Sequence, residues 1–258
     1  RGEHAVLVLN ARRDFTLQTL IAAAFDPYLT AFARFVPLLV AAYDRLPAED
    51  PQKTTLAEPI KLLRTWDYRW GLNSAPTSLA VFWGEALWAV AAQPAKEADM
   101  SVWDYIAKRT TDAQKLGALG QASQHLTKDF GKLAVPWGEI NRFQRNDAAI
   151  VQTFDDAKPS IPVPFTSSQW GSLAAFGAMS YPGTRRYYGT KGNSFVAVVE
   201  FGPTVRALAI TAGGESGNPE SKHFKDEAQR YADGNLRPVY FYPADLSGHT
   251  ERIYKPGQ

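Results

Sequence analysis

The chain has no cysteine among its 258 residues. That excludes disulfide scaffolds, zinc–thiolate sites and thiol nucleophiles. Histidine is scarce, with His4, His125, His223 and His249 spread widely. No two stand at the HxxxH or HExxH spacing that a helical metal site needs. No glycine-rich phosphate loop follows a strand pattern, so nucleotide binding has no support. Charge of one sign is also missing: 28 basic and 26 acidic residues leave a net charge of +2. A balance that close does not point to nucleic acid or a membrane surface as a partner. No apolar run reaches the roughly 18 residues of a membrane span. The best candidate, residues 32–43, is interrupted by Arg34 and Pro37. No secretory leader is recognisable, and a first residue Arg1 rather than Met reads as a processed or truncated product.

What is present is a hydrophobic fraction of 45%, enough for a sizeable core, and seven tryptophans. Residues 1–131 read as mainly helical. Asp14 or Thr16 is placed to cap the run LQTLIAAAF. Pro27 is expected to open the next helix. In that helix Leu29, Phe32, Val36, Leu39 and Tyr43 share one apolar face at spacings of three and four. Pro37 inside the pattern predicts a kink or break. Residues 52–59 read as a polar connection. Thr77 or Ser78 is expected to cap a helix carrying Leu79, Phe82, Trp83, Ala86 and Val90. Ser101 is expected to cap another, and a last helix over residues 112–130 ends at Gly131.

Residues 132–258 change character and read as β-rich. SFVAVVEFG and TVRALAITAGG around Gly202-Pro203 predict an antiparallel hairpin. A short helix from Asn218-Pro219 to about Tyr231 should end at Gly234. LRPVYFYP and ERIYK read as short strands. Helices first and strands later indicate an α+β fold rather than alternating βαβ units. The two portions read as one incomplete structural unit, not two independent domains.

One segment crowds nucleophile, base and carboxylate types together: Ser216, Ser221, His223 and Asp226. Residues three apart on a helix can touch, so His223 and Asp226 are expected to pair. A serine relay would need one hydroxyl on that imidazole. GGESGN is not a GxSxG elbow, however, because Asn218 stands where the last glycine should be. The structural alternative is a glycine-rich turn that leaves a strand and enters a helix capped by Asn218 or Ser221. In WDYRW, Trp66 and Trp70 read as core residues sharing a helical face rather than as a sugar platform. Arg64 and Arg69 with Asp67 read as surface pairs, and residues 185–188 as a solvated turn rather than an anion site. No self-contained catalytic centre, metal site or cofactor site emerges from these residues.

Several segments nonetheless resemble the C-terminal part of the penicillin acylases and their acyl-homoserine-lactone and aculeacin relatives. GNSFVAVVEFG at residues 192–202 is followed by a G-x-SGNP-x-S-x-H-x-x-D loop. That loop places Ser216, Gly217, Asn218, Pro219, Ser221, His223 and Asp226 on the pattern, with Tyr231, Gly234 and Pro238 beyond. VPWGEINRF at residues 135–143, Trp66-Asp67, Asn73-Ser74 and RRDFTLQTLIAAAFDPYL at residues 12–29 resemble further segments in matching order. The resemblance implies an αββα N-terminal-nucleophile fold and amide hydrolysis through an acyl-enzyme. In such a fold the free amine of an N-terminal serine activates its own hydroxyl. It also implies an exported, periplasmic or secreted protein. Here the first residue is Arg1, and the family's Gly-Ser-Asn cleavage junction is missing. The single Gly171-Ser172 pair sits in an apolar run and does not read as that junction. The chain therefore reads as the C-terminal half of a large subunit, with no catalytic residue carried over and no oxyanion role for Asn73, Asn141 or Asn193. Its expected partners are the remaining acylase segment bearing the serine and a small N-acyl substrate. Two other readings stay open: a catalytically inactive binding domain on the same scaffold, and an independent serine hydrolase using Ser216 or Ser221 with His223.

Overall fold

The computed structural model describes residues 1–255 and Gly257. Eight helices come first: α1 (Gly2–Asn10), α2 (Leu17–Ala24), α3 (Thr30–Asp44), α4 (Pro51–Thr55), α5 (Ala57–Arg64), α6 (Ala75–Glu97), α7 (Val102–Lys108) and α8 (Asp112–Phe130). The short α9 (Trp137–Ile140) leads into β1 (Asn141–Phe143). Then follow β2 (Ile161–Pro162), β3 (Phe176–Met179), β4 (Tyr187–Gly192), β5 (Phe195–Glu200), β6 (Arg206–Thr211), α10 (Ala228–Asp233) and β7 (Arg237–Pro238). The fold is α+β with two sheets. One is mixed, in the order β2-β1-β4-β3, with β1 and β4 parallel. The other is antiparallel, in the order β5-β6-β7. No helix among the described residues is long and apolar enough to cross a membrane.

Local chemistry explains most helix boundaries. Thr16 closes a capping box with Thr19 at the start of α2, and Thr111 does the same with Gln114 for α8. Ser101 caps α7 through the Asp104 N–H. Gly131 ends α8 in the left-handed region at φ 75°, where a side chain would be strained. The α6 cap is Ser74, not Thr77 or Ser78. Its hydroxyl accepts from the Thr77 N–H, and Pro76 sits in the first turn, where no N–H partner is lost.

Pro37 does not break α3. An interior proline costs a helix about 3 kcal/mol, but Phe32, Phe35, Val36 and Leu39 are all buried on the opposite side. Each such residue returns roughly 1.5–3 kcal/mol. Pro37 itself is exposed, on the face away from those residues. Pro27 does not open α3, because its backbone is already used: the Trp70 N–H donates to the Pro27 carbonyl, and the Leu29 N–H to that of Tyr68. This bridge also removes WDYRW from any helix, with Tyr68 at φ 60°. Residues 52–59 are not a connection but belong to α4 and α5; the Asp50 side chain caps α4 with Pro51 in its first turn.

The core has two parts. The helical part surrounds Phe32, which stacks on Trp170 with ring centres 4.9 Å apart. The second is shared by both sheets, α2 and α10. Phe165 lies at its centre, with the rings of Phe25, Trp70, Phe176 and Tyr231 packed around it edge to face. Trp70 touches both parts. The 193–212 hairpin forms as the sequence predicts, with Phe195 opposite Thr211 and Glu200 opposite Arg206. Two predicted strands do not form at length. LRPVYFYP contributes only Arg237–Pro238, since Pro238 has no N–H for the ladder. ERIYK is irregular, and Glu251 is held instead by Lys222 and His223.

Candidate functional site

The predicted Ser216, Ser221, His223, Asp226 cluster lies in a tight loop leaving β6. The expected helix from Asn218 is absent; α10 starts only at Ala228 and has no side-chain cap. Side chains have taken the backbone donors a helix would use. Ser216 Oγ accepts from the Asn218 N–H at 3.1 Å, Asn218 Oδ1 from Glu220 at 3.0 Å, and Ser221 Oγ from His223 at 3.2 Å.

His223 and Asp226 do pair, Nδ1 to Oδ2 at 2.8 Å, and Nε2 faces Glu251 at 3.2 Å. Asp226 first and Glu251 second raise the imidazole above its ordinary value. A ring held between two carboxylates favours the doubly protonated form, which has no lone pair to take a serine proton. The structure does not bring the alternative serine relay together: both hydroxyls accept from backbone N–H groups, and the imidazole pairs with Asp226 and Glu251.

Arg145, two residues beyond β1, pins this loop. Its guanidinium donates to the carbonyls of Phe224 (2.6 Å), Ser216 (3.1 Å) and Gly214 (3.4 Å), and lies 4.2 Å over the Phe224 ring. Glu227 then ties the loop to the sheet. One carboxylate oxygen accepts from the Thr211 N–H (3.0 Å) and hydroxyl (2.8 Å), and the other from Arg237 Nε. Burial pushes the Glu227 carboxyl up, but Arg237 and Thr211 outweigh it and hold the group below its ordinary value.

The other candidates also serve the framework. Asn141 is fully buried and donates to the carbonyls of Val163 and Phe165. Asn193 accepts from the Ala175 N–H, and Asn73 lines a charged cleft beside Arg142 and Arg186. Trp66 is buried against Phe32 and Tyr68. Trp66 and Trp70 are both packed, though not on one helical face. Arg64 pairs with Asp44, and Arg69 reaches Asp26 at 3.5 Å as well as Asp67 at 4.0 Å. Tyr187 and Tyr188 are buried strand residues rather than part of a solvated turn. Gly171 packs against Thr30, and its carbonyl accepts from the buried His4 ring, whose other nitrogen meets Asp26. No group of three or more His, Asp or Glu among the described residues could hold a metal.

Sequence reading missed two features. Glu85 on α6 accepts from the Tyr187 hydroxyl at 2.9 Å. Burial pushes its carboxyl up to about 7, against a smaller opposing effect of that hydrogen bond. The contact joins residues 102 positions apart, and no local pattern announces it. The second is an open apolar groove of about 580 Å³ beside β5, with Ala5, Val8 and Leu9 of α1, Leu20 and Ala23 of α2, and Val196 among its lining residues. The same edge carries Phe195, 59% exposed, and Phe201, 84% exposed just beyond β5. Alternating apolar residues in β5 were visible in the sequence; which strand would carry a free edge was not.

A family model described as penicillin amidase matches residues 1–248. Among solved structures, a thermostable penicillin G acylase from Alcaligenes faecalis, in its orthorhombic form, superposes with a TM-score of 0.52 at 13% identity. The match covers 98% of this chain and 51% of that one. At that identity the superposition establishes the fold, and the chain spans about half the length of the acylase chain it matches. With the sequence segments, the two-sheet core and the family match in agreement, the chain belongs to the penicillin amidase family.

Proposed function

We propose that this chain is the C-terminal part of an amidase that hydrolyses N-acyl amide bonds through a serine acyl-enzyme. The nucleophile would be the N-terminal serine of a segment outside these 258 residues. The observation that carries the reading is the family match over residues 1–248 in a chain half as long as the acylase it resembles. The loop geometry agrees with it: the chain's one crowded Ser–His–Asp cluster is committed to turns and ion pairs. In this reading the 258 residues supply framework and part of the cleft. The attacking hydroxyl, its α-amine base and the oxyanion donors come from the companion segment. Export to the periplasm or beyond, and processing from a precursor, belong to the same proposal.

The test is substitution in the assembled enzyme. His223→Ala, Ser216→Ala and Ser221→Ala should each leave kcat for an acyl amide within about threefold of the parent, provided assembly is intact. A loss of a hundredfold or more with normal folding and assembly would place the relay in this loop and defeat the reading.

A further inference from the structure

We infer that the cleft between the end of α8 and β1 binds a small phosphate-bearing ligand, whose doubly charged head is held by Arg142 and Arg186. The inference goes beyond the amidase reading and does not depend on it, since its readout is binding and not activity.

Folding brings the two guanidiniums to one place. β1 and β4 run parallel with Arg142 opposite Tyr188, and Arg186 is the last residue before β4. Both line a cleft of about 900 Å³ that also takes in Lys128 from the last turn of α8. From sequence alone residues 185–188 gave no anion site; the second cation, Arg142, arrives only through the strand pairing. Arg142 is held by neutral groups. Its Nε donates to the Ser160 hydroxyl at 3.0 Å, and its terminal nitrogens to the carbonyls of Gly138 and Ser160. That uses three of the five N–H groups of a guanidinium and fixes the fork in place. Arg186 donates to the Asp156 carbonyl at 3.0 Å.

The carboxylates of the cleft are engaged with other partners. Asp129 meets His125 at 2.9 Å and Glu139 meets Lys132 at 3.3 Å. Asp156 accepts from the Tyr188 hydroxyl at 3.0 Å and the Arg185 N–H at 2.9 Å. The Arg185 guanidinium lies 3.8 Å from Asp156 and donates to the Asp129 carbonyl, so it is committed as well. Among the described residues none of these carboxylates forms an ion pair with Arg142, Arg186 or Lys128. Burial first, and Arg186 second, pull the Arg142 guanidinium below its ordinary value. The charge acting most on Arg142 is therefore another cation. Two half-buried like charges repel, and a doubly charged anion held by both removes that repulsion. Guanidinium forks also match phosphate oxygens two at a time. A single carboxylate would neutralise only one of the two. Leu72, Phe130 and Pro162 on the walls leave room for an organic body beyond the phosphate.

The test uses protein expressed from its full coding sequence, titrated calorimetrically with inorganic phosphate at constant ionic strength. Binding should saturate at a single site, and chloride at the same ionic strength should give no such isotherm. Arg186→Gln should weaken phosphate binding about tenfold or more, and Arg186→Lys, which keeps the charge but not the fork, by less. Lys128 is exposed, so Lys128→Gln should keep the thermal midpoint and weaken binding about threefold. Arg206→Gln removes the same charge from β6, outside the cleft, and should leave binding at the parent level. No saturable binding, an equal response to chloride, or parent-level binding in a folded Arg186→Gln variant overturns the site. Should Arg186→Gln fail to fold, Lys128→Gln decides: parent-level binding overturns the site, and the weakening sustains it. Acetate binding as tightly as phosphate would overturn the ligand class.

Discussion

At the scale of single residues, charge burial decides the balance. Glu85 is the clearest case, because burial raises its carboxyl to about 7 from an ordinary 4.5 while Tyr187 supplies one donor. A carboxyl whose pKa is higher folded than unfolded favours the native state fully below the unfolded value. That contribution is lost as the pH rises from about 4.5 to about 7. The linkage amounts to at most about 3 kcal/mol, less in practice because Glu85 keeps some solvent contact. Urea titrations between pH 4 and 8 should show this decline in the parent and a flatter curve in Glu85→Gln; parallel curves would remove Glu85 as its source. Glu227 has the opposite sign, since its paired form is the charged one. Glu227→Ala strands Arg237 and the Thr211 donors, and should cost about 3 kcal/mol in denaturant unfolding. Such residues were hard to read in advance. The His223–Asp226 pair was legible because both sit within one turn of chain, whereas Glu85 and Tyr187 meet only through tertiary packing.

At the scale of elements, capping chemistry made α2, α7 and α8 legible, and the β5–β6 hairpin followed from its turn. The failures share one cause: local propensity lost to a longer-range contact. Pro37 was read as a kink or a break, and α3 runs on through it with buried neighbours on either side. WDYRW was read as helix, but its backbone pairs with residues 27–29. The Asn218 helix was lost to side chains bonding their own backbone. If α3 carries Pro37 at a cost, Pro37→Ala should raise stability by about 1–2 kcal/mol, because the exposed site restores a helical hydrogen bond without repacking. An unchanged or lower unfolding midpoint would mean the helix is adapted to the proline. Gly189 tests the mixed sheet in the other direction. A Cβ there would lie 2.0 Å from the Phe176 ring, so Gly189→Ala should destabilise the chain by about 1–3 kcal/mol.

At the scale of the whole molecule, the helical core is closed around its own tryptophans, while the second sheet ends in an open edge above an apolar groove. The α+β class and the family were legible from composition, element order and the residue 192–238 motif. Which strand carries the unpaired edge was not, because a strand's pattern fixes its faces but not its neighbours. The central claim is that the acyl group is carried by a serine outside these residues. The most direct measurement is to treat the active assembly with a serine-acylating amidase inhibitor and locate the adduct by peptide mass spectrometry. The account predicts one adduct, on the N-terminal serine of the companion segment, and none on the 258-residue chain. An adduct on Ser216, Ser221 or any other serine of this chain, formed in step with loss of activity, would contradict it.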